Sequence, residues 1–115
     1  MNRGEIWLLN LEPTIGDEMR RTRPVVIMSG NLIGFLSLKV IVPITDWKDP
    51  YDEVIWMTKI TPDKKNGLTK LSGADAFQVR SISKSRFIKY LGKLSDEKMT
   101  EIEEALAIVL QIKTF

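Results

Sequence analysis

Residues 95–112 read SDEKMTEIEEALAIVLQI, and this stretch decides the fold class. Ser95 is a good helix cap because its hydroxyl can accept from a free backbone N–H of the first turn. Asp96 and Glu97 suit the positive end of a helix dipole. Met99, Ile102, Leu106 and Val109 then recur at helical spacing as one apolar stripe, packing residues rather than a cofactor box. Residues 105–112 are apolar almost all round, which predicts burial of the second half on two sides.

Everything upstream reads as short strands. Residues 5–11 (EIWLLNL) form the first, with Trp7 in the core, and Glu12-Pro13 ends it. A turn region over 12–23 holds Pro13 and Gly16, and Val25–Met28 follows as a short buried strand. Residues 39–44 form a third, whose Pro43 predicts an edge or a bulge because proline cannot donate to a ladder. Residues 54–57 and 76–82 supply two more. Residues 87–94 read equally as a strand or as a short helix stopped by Gly92. Strands through three quarters of the chain, closed by one helix, predict an α+β domain. Its small twisted, barrel-like sheet would be plugged by the terminal helix.

The chain has 115 residues, which predicts a single domain over 1–115. No apolar run approaches the roughly 20 residues that span a bilayer, and the start shows no signal-peptide pattern, so a cytoplasmic location is expected. There is no Cys and no His. Disulfides, thiolate catalysis and Cys-based zinc sites are excluded, and the commonest metal ligand and near-neutral base is missing. No metal or other cofactor is expected, and catalysis must fall to Arg, Lys, Asp, Glu, Tyr, Ser or Thr. The net charge is only +2. Arg20, Arg21, Arg23, Lys64, Lys65, Lys84, Arg86, Lys89 and Lys93 are basic, whereas 95–104 is acidic apart from Lys98. Either a basic face for a polyanion or an ordinary mixed surface fits this distribution.

Two positions stand out as chemistry at the rim of a core. In Arg23-Pro24-Val25-Val26 the proline restricts its predecessor to extended backbone, so the arginine main chain is held where a buried strand begins. In Pro43-Ile44-Thr45-Asp46-Trp47 a hydroxyl sits at a strand end with an aromatic close behind. Alternation in 76–82 places Phe77, Val79 and Ser81 on one face and Gln78 and Arg80 on the other.

These segments resemble the MazF/PemK family of toxin endoribonucleases from bacterial type II toxin–antitoxin pairs. Arg3-Gly4-Glu5 is similar to the pair that opens the family's first strand, and Pro13 to Glu18 to its Pro-x-x-Gly-x-Glu loop. Arg23-Pro24, the strand-end Thr45, Gln78-Val79-Arg80-Ser81-Ile82 and the closing helix follow in order. Met19 stands where Gln is common, and Arg20-Arg21-Thr22 is more basic than the usual run before Arg-Pro.

The resemblance implies an SH3-like barrel that dimerises and cuts single-stranded RNA without metal, by 2′-hydroxyl attack that leaves a cyclic phosphate. It sets Arg23 and Thr45 as the catalytic pair and Glu18 as the loop carboxylate, which either orients Arg23 or takes the 2′-proton. Gly16, Asp17, Arg21, Trp47, Gln78, Arg80 and Ser81 are the candidate substrate contacts. Trp47 and Trp56 could stack bases or serve the core or an interface. Gln78 and Arg80 could meet substrate or pair across the sheet. An acidic, partly disordered antitoxin is the expected protein partner, with no membrane involved. Rival functions on the same fold are a toxin that poisons a protein target such as a topoisomerase, an RNA-binding module without activity, or an inactive relative kept for antitoxin binding.

Overall fold

The computed structural model describes residues 1–10 and 22–113. In it seven strands precede one helix: β1 (Glu5–Asn10), β2 (Thr22–Ile27), β3 (Leu38–Asp46), β4 (Met57–Ile60), β5 (Ser72–Asp75), β6 (Arg80–Ser83), β7 (Phe87–Lys93) and α1 (Asp96–Leu110). All strand pairings among the described residues are antiparallel, in the order β4-β5-β3-β2-β1-β7, with β6 also on β3. The sheet is twisted and barrel-like without closing.

The long strand β3 organises it. Leu38–Ile41 pairs with β6 on one flank, and Ile44–Asp46 pairs with β5 on that same flank. Pro43 falls between the two partners, so the residue lacking an N–H lies where β6 has ended and β5 has not begun. It is buried opposite Val25 in the middle of the sheet, not at an edge.

Strand alternation gives the sheet two apolar faces. Ile6, Val26, Val42, Ile44, Ile60 and Ala74 form the larger core, which Met99 and Ile102 of α1 complete. Leu9, Val25, Ile27, Ile41 and Ile82 form the smaller one, flanked by Trp7 and Phe87. Trp7 is half-buried, packed edge-on against Phe87 and Tyr90 with its Nε1 donating to Glu5 at 2.9 Å. It borders a core instead of filling one.

The helix starts as its sequence dictates: the Ser95 hydroxyl accepts from the Lys98 N–H at 3.2 Å. It ends at Gln111 in the left-handed conformation, φ 52°. Met99, Ile102 and Ala105 are buried, but Ile108, Leu110 and Ile112 are about half exposed. Two-sided burial of 105–112 therefore does not hold within one chain, because the main packing of α1 is against β4 and the turn at 76–78.

Three other expectations shift. Residues 87–94 resolve as strand, through β7. Val54–Trp56 is not strand; it follows the 3₁₀ turn Asp49–Glu53, and β4 begins at Met57. The strand expected over 76–82 is broken by a 3₁₀ turn, Ala76–Gln78. There the Asp75 carboxylate accepts from the Phe77 N–H at 3.1 Å, and a side chain bonding backbone two residues on offers the chain an alternative to the ladder. Phe77 and Gln78 are both exposed as a result, so the predicted separation of faces across 76–79 fails.

Candidate active site

The β2–β3 register runs Val25↔Pro43, Val26↔Val42, Ile27↔Ile41. Continued two residues outward, it sets Arg23 directly across from Thr45. The Arg23 guanidinium donates through Nη1 to the Thr45 hydroxyl oxygen at 3.2 Å. On the other side Arg23 pairs with the fully buried Leu9 of β1. Both Arg23 and Thr45 are half-buried. The pair thus stands where the smaller core ends and the same face of the sheet opens to solvent.

The partners of Arg23 matter as much as its place. Among the described residues it meets no carboxylate, and its one hydrogen bond goes to a neutral hydroxyl. A guanidinium carries five N–H donors in a fixed fork, and the described residues engage one of them. Asp46, the next residue after Thr45, is paired with Lys70 at 3.8 Å.

Arg3 presents the opposite condition. Its guanidinium donates to the Met28 carbonyl and pairs with Glu103 of α1 at 2.5 Å, while its backbone N–H donates to the Asn31 side chain at 2.8 Å. This arginine fastens the amino terminus to the sheet and to the helix.

The other sequence candidates divide. Trp47 continues the β3–β5 ladder, its N–H donating to the Leu71 carbonyl at 2.9 Å, and its ring packs edge-on against Tyr51. It lies two residues from Thr45. Gln78 donates to Asp75 at 2.9 Å, a carboxylate the sequence did not single out. Arg80 is exposed at the start of β6, opposite Ile41, and Ser81 is exposed opposite Val40. Among the described residues, no hydrogen bond joins Gln78, Arg80 or Ser81 to Arg23 or Thr45. Trp56 packs on exposed Phe77 at 5.4 Å. Gly16, Asp17, Glu18 and Arg21 lie outside the described residues. Among the described residues no group of three acidic side chains could hold a metal ion, and no helix is long and apolar enough to cross a membrane.

Residues 2–110 match the family described as PemK-like, MazF-like toxin of type II toxin–antitoxin system. The chain belongs to this family. The toxin is 29% identical over 119 residues to Endoribonuclease MazF9 of Mycobacterium tuberculosis, which covers 97% of this chain and 98% of the relative. In structure it is similar to an endoribonuclease solved in complex with its cognate antitoxin from a mycobacterial species, with TM-score 0.77, 22% identity, and 100% and 99% of the two chains covered. It is likewise similar to MazF of Deinococcus radiodurans, with TM-score 0.75, 22% identity and 97% of each chain covered. Those two likenesses concern the fold, and they accord with an α+β, barrel-like sheet carrying a C-terminal helix.

Proposed function

We propose that this toxin is a metal-independent endoribonuclease that cuts single-stranded RNA at a short preferred sequence and so blocks translation. The observation that carries this is the Arg23–Thr45 pair, a half-buried guanidinium beside a hydroxyl at the open rim of the sheet, with no carboxylate partner among the described residues. The 2′-hydroxyl of the nucleotide at the cut forms a bond to its own phosphorus while the bond to the 5′-oxygen breaks. The products are a 2′,3′-cyclic phosphate and a 5′-hydroxyl. Negative charge gathers on the phosphoryl oxygens in the transition state, where Arg23 stabilises it and Thr45 orients the phosphate. Arginine is a poor proton acceptor, with a pKa above about 12. The 2′-proton therefore goes to another base, for which Glu18 is our candidate, and Arg23 can deliver the proton to the leaving oxygen.

Two partners belong to the same proposal. One is an acidic antitoxin; the mycobacterial endoribonuclease of the same fold was solved with its cognate antitoxin. The other is a second copy of the chain: Leu32 and Phe35 are 96% and 80% exposed, and the end of α1 leaves further apolar surface uncovered. Sedimentation should show a dimer at micromolar concentration, and a fully active monomer contradicts that part.

The test of the activity is incubation of the toxin with a long RNA in excess EDTA, followed by end mapping. Cutting should persist, leave 2′,3′-cyclic phosphates, and fail where the cut-site nucleotide carries 2′-deoxyribose. Activity restored only by Mg²⁺, or efficient cutting of the deoxy substrate, overturns the mechanism.

A further inference from the structure

The register that pairs Arg23 with Thr45 extends across two more strands. Thr45 pairs with Gly73 of β5, and Gly73 with Lys59 of β4. Residues directly opposite one another in antiparallel strands share a face, so Arg23, Thr45, Gly73 and Lys59 form one row across the sheet. Lys59 stands two strand spacings from Thr45, about 10 Å.

The middle of the row is bare backbone for a steric reason. A Cβ on Gly73 would lie 2.7 Å from the Met57 methyl and 3.1 Å from Cε3 of Trp47. Glycine there lets the indole settle onto the sheet between Thr45 and Lys59. The Lys59 ammonium in turn sits 5.0 Å from the centroid of the Trp47 ring. Lys59 is exposed, and among the described residues its ammonium has no carboxylate partner and rests on the indole. An aromatic face attracts a cation without neutralising it, so the ring holds the ammonium in place while its charge remains available to an anion.

We infer that Lys59 binds the RNA phosphate next to the one that is cut, with the strand crossing the sheet from β2 and β3 over Gly73 and Trp47 to β4. This rests on the nuclease reading of Arg23 and Thr45 and gives that site a direction. A cation at this distance on the same face adds sequence-independent binding, because phosphate contacts set position and register. Trp47 is a positioning residue that fixes the lysine head group, and Gly73 makes room for it.

The test combines a salt titration with kinetics on the full chain. Affinity for a mixed-sequence, single-stranded 2′-O-methyl RNA, which lacks the attacking hydroxyl, is measured by anisotropy across salt concentrations. Each phosphate contact contributes about 0.7 to the slope of log affinity against log salt for single strands. Lys59→Met should lower the slope by about that amount, and Lys59→Arg should restore it. On cleavable RNA, Lys59→Met should raise KM several-fold with kcat within two-fold, and Trp47→Leu should shift KM the same way. A Lys59→Met toxin with the parent's salt slope and KM overturns the inference while leaving the nuclease reading intact. A parent that cuts no RNA yet shows the Lys59-dependent slope overturns the nuclease reading and supports the phosphate contact.

Discussion

Arg3 and Arg23 each open a two-residue motif at the start of a strand, with glycine after one and proline after the other. Their surroundings differ completely. Arg3 reaches the Met28 carbonyl and Glu103, joining residues 100 positions apart. Arg23 bonds one hydroxyl and meets no carboxylate among the described residues. A guanidinium already held by a carbonyl and a carboxylate is structural, since a ligand would have to displace those partners. A guanidinium that meets one hydroxyl among the described residues, at the edge of a core, suits an incoming anion, which can offset the cost of holding charge in a partly desolvated place. On this contrast Arg3 is a clasp, and we propose Arg23 as the catalytic group.

The largest effects should fall on the Arg23 side. Thr45→Val keeps the side-chain shape and deletes the hydroxyl, so single-turnover cleavage should slow by about 10²-fold while the melting temperature barely moves. Combined with Arg23→Ala, the loss should fall well short of the product of the two single defects, because both groups serve one transition state. Fully multiplicative losses would show that they act in separate steps. Arg3→Ala should behave in the converse manner. Losing its carbonyl bond and a part-exposed ion pair should cost about 1–2 kcal/mol. That lowers the melting temperature by about 4–8 °C, with cleavage within a few-fold of the parent. An unchanged melting temperature would remove the clasp from the account. Ser95→Ala deletes a helix cap remote from the row and should cost about 1 kcal/mol, with no kinetic effect. A kinetic effect there would mean that general loosening, and not the Arg23–Thr45 contact, governs activity.

The parts of the molecule legible in the sequence are those where one periodicity dominates. The stripe from Met99 and the Ser95 cap located α1, and the apolar runs of Val25–Met28 and 39–44 located β2 and β3. What was illegible depends on neighbours. Ser72-Gly73-Ala74 carries no strand propensity, yet β5 forms because β3 and β4 pair on either side of it. Three small residues in succession are nonetheless a signal for close approach, and they could have pointed to the Trp47 ring and to Lys59. Asp75 broke the strand expected over 76–82 through a bond to its own downstream backbone, which no alternation count detects. Pro43 suggested an edge or a bulge because the change of partner on one flank of β3 is a property of the assembled sheet. At the site, Arg23 and Thr45 were nameable from their motifs. Their contact follows from a register that only the fold supplies.

The most direct test of the central claim is cleavage by Arg23→Ala, measured beside Arg3→Ala on the same RNA in EDTA, with melting temperatures for both. The account predicts that Arg23→Ala melts close to the parent and cuts about 10²–10³-fold more slowly, a loss of ~3–4 kcal/mol of transition-state stabilisation. Arg3→Ala should melt lower and still cut. An Arg23→Ala toxin that folds normally and cuts within a few-fold of the parent would contradict the assignment and favour a toxin that acts by binding a protein target.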